Sequence, residues 1–260
     1  MKDRTRRDLV NILVADMVEK YGRAPPMDRR TQYALGLVTL FPSLRDPYSK
    51  NGYVLQDFEL LFGAETSSKL LEKWGTLLKA RVIEQAKNLS RTPQLDYLIQ
   101  CAEENPDEDG EVPGWDSDMA SLLLLVYLLP PPPSGKKGTV KISIREAVDH
   151  VVKFHKSCRS LQEHSGPDKR KQPYILAVGT TRNRIHEYYI VLDGELLPCK
   201  ARSSLSAFDE LFKAHYVFGI SYDQALNTMY TFVQTTIYNI DVGLSHETPR
   251  VKDLRAKLLN

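Results

Sequence analysis

Four groups of residues have types and spacings that could do chemistry. Asp116-Ser117-Asp118 has the form of an Asp-x-Asp pair, which holds a divalent cation through hard oxygen ligands. No nucleotide-binding pattern surrounds it. The same residues also suit the start of a helix, where a carboxylate accepts from free backbone N–H groups and meets the positive end of the helix dipole. The cap is the favoured reading. His150, His155, Cys158 and His164 form a loose nitrogen and sulfur set. A structural zinc needs four tetrahedral ligands, usually supplied as paired short-spaced elements. Histidines five apart on a helix point about 140° away from each other. No metal is therefore expected.

Cys199 could act as a nucleophile with His186 or His215 as base. A reactive thiolate needs a positive, partly open setting, whereas Cys199 follows Pro198 at a strand end with no glycine-rich elbow. A buried structural cysteine is expected. Gly135-Lys136-Lys137-Gly138-Thr139 lacks the spacing and the preceding strand of a phosphate loop. No cofactor motif is present in the sequence, and the chain is expected to be non-enzymatic.

The basic residues offer a second chemistry. Arg29, Arg30, Lys69, Lys73 and Lys87 lie in the first third of the chain, the three lysines on the face opposite Trp74. A helical unit with a basic outer face can grip phosphate backbones, so these five are the candidate nucleic-acid-binding residues. Interleaved Asp8, Asp16, Glu72 and Glu84 describe an ordinary solvated face equally well. The charge is segregated along the chain. Residues 1–91 carry a net +5, residues 92–118 carry −9 with no Lys or Arg, and the remainder carries +6, leaving a net charge of +2.

The elements that would position these groups follow from hydrophobic period and punctuation. Val10, Leu13, Val14, Met17 and Tyr21 share one helical face ended by Gly22. Tyr33, Leu37, Val38 and Phe41 line a second helix closed by Pro42, and Leu70, Trp74, Leu77, Leu78 and Val82 a third that starts near Thr66 or Ser67. Residues 8–88 thus read as a three-helix unit, 103–114 as an acidic loop, and 116–129 as a helix apolar on all sides and hence buried. Together they make a helical domain over 1–129. Residues 130–138, four prolines followed by Ser, Gly and Lys, read as a linker or a short polyproline docking segment, and the spacer is favoured. The second domain, 139–260, starts with a helix from Ser143 to about His155. A three-stranded meander over 174–200 turns at Asp193-Gly194, two long helices cover 204–240, and a basic helix closes the chain. The fold class is α+β, predominantly α-helical, with an N-terminal helical unit and C-terminal helices around a small antiparallel meander.

A hydrophobic content of 42% and a charged content of 26% over 260 residues suit a packed globular protein. Three unclustered cysteines argue for a reducing compartment, nucleus or cytoplasm. The N-terminus has no apolar stretch after its charges, and Met119 to Leu129 is too short to span a bilayer, so no membrane partner is expected.

Several stretches carry a resemblance. They are Arg30-Thr-Gln-Tyr-Ala-Leu-Gly-Leu-Val-Thr-Leu-Phe-Pro-Ser-Leu44, Trp115-Asp-Ser-Asp-Met-Ala-Ser121, Val152-Lys-Phe-His-Lys-Ser-Cys158, Ala207-Phe-Asp-Glu-Leu-Phe-Lys-Ala-His215 and Gln234-Thr-Thr-Ile-Tyr-Asn-Ile-Asp-Val-Gly243. They resemble a family of uncharacterised fish proteins described as similar to sterile-alpha-motif-domain-containing protein three. The resemblance covers most of the chain and implies no activity. Longer members can carry an assembly domain at the N-terminus. Nothing before Asp8 could form one, so the chain is expected to be a short paralogue or a fragment. Phe41 to Asp46 followed by Trp74 also resembles Myb-like three-helix DNA-binding modules. The first expectation is an interaction or scaffold protein with a protein partner still to be identified. A nucleic-acid-binding regulator acting through the first three helices is the alternative.

Overall fold

The structure is a computed structural model that describes residues 3–22, 26–41, 54–103, 114–132, 142–157 and 172–259. The chain divides into two compact units, Met1–Tyr53 and Val54–Asn260. The first holds two helices, α1 (Asp3–Tyr21) and α2 (Met27–Leu40). Tyr33 of α2 donates its hydroxyl to Asp16 of α1, which also accepts from Lys20 at 2.9 Å.

In the second unit, α3 (Val54–Phe62) and α4 (Ala64–Lys73) lead through a π-helical turn (Trp74–Leu78) into α5 (Lys79–Lys87) and α6 (Pro93–Glu103). Helix α3 was not anticipated, and the helix expected to begin at Thr66 or Ser67 begins at Ala64 after Gly63. Gly63 takes a φ of 84°, which a residue without a Cβ adopts at no steric cost. The apolar helix α7 (Ser117–Leu128) is buried along nearly its whole length, as its pattern requires. Asp116 caps it, accepting from the Asp118 and Met119 N–H groups at 3.1 and 3.0 Å. Trp74 is fully buried and donates its indole N–H to Ser121 of α7 at 3.3 Å.

Helix α8 (Ile144–Val151) opens on a capping box between Ser143 and Glu146. The helix expected to reach His155 stops at Val151, because residues Val152–Lys156 form strand β1. β1 pairs parallel with β2 (Tyr174–Thr181), which pairs antiparallel with β3 (Arg184–Leu192), and β3 with β4 (Glu195–Pro198). The sheet is thus four-stranded and mixed among the described residues, where a three-stranded antiparallel meander was expected. The correction has a physical cause. A Val-Val-Lys-Phe-His run is β-prone, but its partner β2 lies far along the chain, and a parallel partner leaves no local turn signal. The β3–β4 turn is the expected one, with positive φ at both Asp193 and Gly194.

α9 (Ser204–Val217), α10 (Asn227–Phe232), a second π-helical turn (Val233–Ile237) and α11 (Pro249–Leu259) complete the unit. One continuous core joins Phe58, Trp74, Leu98 and Leu124 to Val151, Ile175, Phe212, Tyr238 and Leu258. The boundary expected at 130–138 therefore falls inside one unit, and the division lies instead after Tyr53. Residues 133–138, and with them the Gly135 to Thr139 loop, lie outside the described residues.

Candidate interaction surface

The candidate nucleic-acid residues do not form one free basic face. Lys69 and Lys73 lie one turn apart on α4, and both reach the end of the second π-helical turn. Lys69 Nζ donates to the Tyr238 carbonyl at 3.4 Å and Lys73 Nζ to the Ile237 carbonyl at 3.3 Å. These are the unsatisfied carbonyls of a helix end, where a cation also meets the negative pole of the dipole. Partial burial lowers the Lys73 pKa, and the neighbouring Lys69 charge acts in the same direction. Lys87 is ion-paired with Glu103. Arg29 donates to Gln32 at 3.1 Å and lies over the Tyr21 ring. Arg29 and exposed Arg30 belong to the first unit, whereas Lys69, Lys73, Lys87 and Trp74 belong to the second. The three-helix unit expected over 8–88 is therefore divided, and with it the Myb-like resemblance loses its third helix.

The other candidates have structural partners. Asp116 Oδ2 accepts from Ser204 at 2.5 Å, and Ser204 is 2.9 Å from the Tyr188 hydroxyl. Burial raises the Asp116 pKa, against the lowering effect of its hydrogen bonds. Asp118 pairs with Lys79 at 2.6 Å. His150 in α8 is 2.7 Å from Asp223, and His155 is buried on β1. Cys158 and His164 lie outside the described residues, and among the described residues no three His, Cys, Asp or Glu side chains cluster as a metal site. Burial pushes the Cys199 thiol far above its ordinary range, and the Glu210 charge adds to the rise. That is opposite to what an activated thiolate needs.

Other segments of the second unit expose apolar side chains. The end of α3 packs on the end of α9 at Tyr216. The Tyr216 ring packs on Phe58 at 5.7 Å and on Phe62 at 5.1 Å, and burial, with the Asp241 charge acting the same way, raises its pKa to about 12. Helix α3, the end of α9 and the 238–245 loop each expose apolar side chains. Helix α3 turns Val54, Phe58 and Phe62 inward at helical spacing and leaves Leu60 (50%) and Leu61 (56%) exposed. Helix α9 ends in a Schellman turn, with Gly219 at φ 61° and the Ile220 N–H donating to the His215 carbonyl at 2.7 Å. That turn leaves Phe218 39% exposed, while Val242 is 54% and Leu244 86% exposed.

The 238–245 loop is held by its own bonds. Asn239, Asp241 and Gly243 all have positive φ, at 57°, 52° and 83°. Outside glycine such conformations cost about 1–3 kcal/mol each and persist only where the surroundings enforce them. Here Ile240 is buried as a plug, and its N–H donates to the Gln234 carbonyl at 2.9 Å. The Gln234 side-chain amide donates to Asp241 and to Ser245, both at 3.1 Å, and its oxygen accepts from Tyr222 at 3.1 Å. The Asp241 carbonyl accepts from the N–H groups of Leu244 and Ser245, each at 3.0 Å. Val242 and Leu244 are thus displayed on a pinned backbone. Sequence reasoning missed them. The available signal was the alternation of Asn239, Asp241 and Gly243, three residues that tolerate the left-handed conformation, with apolar residues between and after them.

No protein-family model, no curated protein and no solved structure matches the chain, so the resemblance rests on the stretches that carry it.

Proposed function

We propose that this chain is a non-enzymatic, intracellular protein-interaction module that binds a protein partner through the apolar side chains displayed on the 238–245 loop. One observation carries the reading: Leu244, 86% exposed, stands with Val242 on a loop with three left-handed residues in which Gln234 holds Asp241, Ser245 and the Ile240 N–H. Burying a leucine side chain stabilises a complex by roughly 1.5–3 kcal/mol. A pinned loop loses little conformational entropy on binding, which leaves more of that gain as affinity. Neutral, partly buried Cys199 and the paired Asp118 and His150 support the non-enzymatic part of the reading. The nucleic-acid alternative is weaker, because Lys69 and Lys73 direct their donors at helix carbonyls and Lys87 at Glu103.

The test is site-specific photo-crosslinking in cells, with the reactive group placed at position 244 and, as control, at exposed Glu195. The proposal expects a discrete protein adduct from 244 alone that disappears when Val242→Asp is added. Equal or absent adducts at the two positions count against it. In parallel, salt-dependent micromolar binding of labelled DNA or RNA that is lost on Lys87→Glu would favour the alternative.

A further inference from the structure

Most cations on the helices of the second unit are tied to a partner. Lys79 pairs with Asp118, Arg91 with Asp96 and Arg255 with Glu247. The tip of the β2–β3 hairpin differs. Arg182 and Asn183 form its two-residue turn, Arg184 opens β3, and Lys156 ends the neighbouring β1 with its Cα in register with Gly179. Lys156, Arg182 and Arg184 are exposed, and among the described residues none of the three pairs with a carboxylate. Glu187, the next acid along β3, accepts from the Tyr189 hydroxyl at 2.6 Å, and Asp116, beside Trp115, accepts from Ser204 at 2.5 Å. The tip is also shaped. The Arg182 guanidinium lies 5.4 Å over the Trp115 ring, which meets Phe154 of β1 edge-on at 6.3 Å. Lys156 shares the β1 face of Phe154, two residues back. Towards the turn the register passes from Val178 opposite Glu187, through Gly179 opposite Ile185, to Thr181 opposite Arg184. His186 and Thr180 are thus extra residues, one on each strand, and such bulges bend a ribbon and re-aim its side chains. The bend needs Gly179, where a Cβ would lie 2.2 Å from the Arg184 carbonyl oxygen.

We infer that this hairpin tip binds duplex DNA, with Arg182, Arg184 and Lys156 on backbone phosphates. Unpaired cations on a rigid ribbon complement a regular array of anions, and a phosphate backbone is such an array. The ribbon and its aromatics select the duplex. A two-stranded ribbon fits the major groove of B-form DNA, about 12 Å wide, whereas the major groove of A-form RNA is too narrow for side chains to read. Single strands are gripped by stacking their bases on open aromatic faces. Trp115 is 8% exposed and already lies under Arg182, so it offers no such platform. The site uses neither the lysines of α4 and α5 nor the 238–245 loop, so it stands apart from both readings above.

The experiment is fluorescence anisotropy of a labelled mixed-sequence DNA duplex titrated with the full chain. Three phosphate contacts give a slope of log affinity on log salt of about −2.7, so affinity should fall roughly 40-fold between about 50 and 200 mM salt. Arg182→Glu with Arg184→Glu should weaken binding at low salt by about tenfold or more. Because Arg182→Glu could loosen the packing at Trp115, Arg184→Ala with Lys156→Ala is the second variant. It leaves Arg182 over the ring and should bring the slope to about −0.9. Lys87→Glu and Val242→Asp should bind as the native chain does. No binding by the native chain at low salt overturns the inference. So does binding that survives both tip variants or is lost on Lys87→Glu, since the contact then lies elsewhere. Single-stranded DNA, duplex RNA or poly-glutamate binding as tightly as the DNA duplex overturns it as well, the last by assigning the tip to acidic polypeptides.

Discussion

Replacing Glu210 by Gln should reveal a titration that the native protein conceals. Glu210 lies on α9, 7% exposed, and accepts from the Lys200 N–H at 3.2 Å. Burial raises its pKa to about 7, and the charge on Asp209 pushes the same way, against the Lys200 N–H and the charges of Lys200 and Lys213. His215, five residues on, is 2% exposed and donates from Nδ1 to the Leu211 carbonyl at 2.9 Å. Its ring lies against Tyr230 and Tyr222, and burial lowers its pKa to about 4. The two act in opposite senses over one pH window. Between about 4.5 and 7 the folded state holds the Glu210 proton more tightly than the unfolded chain does, so stability falls as pH rises. Between about 4 and 6.5 the unfolded chain binds the His215 proton more tightly, so stability rises with pH. Each shift corresponds to about 3 kcal/mol, at 1.36 kcal/mol per unit. Glu210→Gln keeps an acceptor for the Lys200 N–H and removes the falling component alone. The assay is urea denaturation of both proteins from pH 4 to 8, followed by fluorescence of Trp74 and Trp115. Relative to the native protein, the variant should gain about 3 kcal/mol between pH 4.5 and 7 and nothing further above that. Asp116, whose pKa burial also raises, cancels in this difference. A difference independent of pH would refute the reasoning, because Glu210 would then titrate alike in the folded and unfolded states.

Two other substitutions test the packing. Lys213 and Asp209 form an ion pair at 2.6 Å, 4% and 3% exposed, so Lys213→Met should cost about 3–5 kcal/mol by leaving the carboxylate short of its partner. In a unit of about 200 residues that lowers Tm by roughly 10 °C in calorimetry, and adding Asp209→Asn should recover part of the loss. Gly179→Ala should destabilise the β2–β3 hairpin by about 1–3 kcal/mol in chemical denaturation. A Cβ there would lie 2.2 Å from the Arg184 carbonyl oxygen, which is backbone and can clear it only by disturbing the hairpin.

Features that depend on neighbours in sequence were legible, and features that depend on distant partners were not. The Asp116 and Ser143 caps, the all-round burial of α7 and the Asp193-Gly194 turn each act within a few residues, and each was read correctly. β1 was read as helix because what makes it a strand is β2, some twenty residues away. Helix α3 was missed because Val54, Phe58 and Phe62 show inward spacing while Leu60 and Leu61 blur the pattern on the outer face. The basic stripe misled for the same kind of reason. Lys69 and Lys73 look like a solvent-facing pair until the end of a helix more than 160 residues further on places two free carbonyls against them.

That remote pairing links the interior to the candidate surface. Tyr238 is fully buried, and its hydroxyl donates at 2.5 Å to the same Asp209 that pairs with Lys213. Its ring stacks on Phe212 at 4.3 Å, while its carbonyl takes the Lys69 ammonium. Asn239 then turns the chain into the left-handed region, and Gln234, one helical turn before Tyr238, holds Asp241 and Ser245. The loop that displays Val242 and Leu244 is therefore anchored at one end to a buried ion pair and at the other to a side-chain amide that is 8% exposed. A buried polar network of this kind contributes little net stability compared with an apolar replacement, but it admits few alternative arrangements. Its effect here is to hold two exposed apolar side chains in one position, which a binding surface requires and a solvated loop does not.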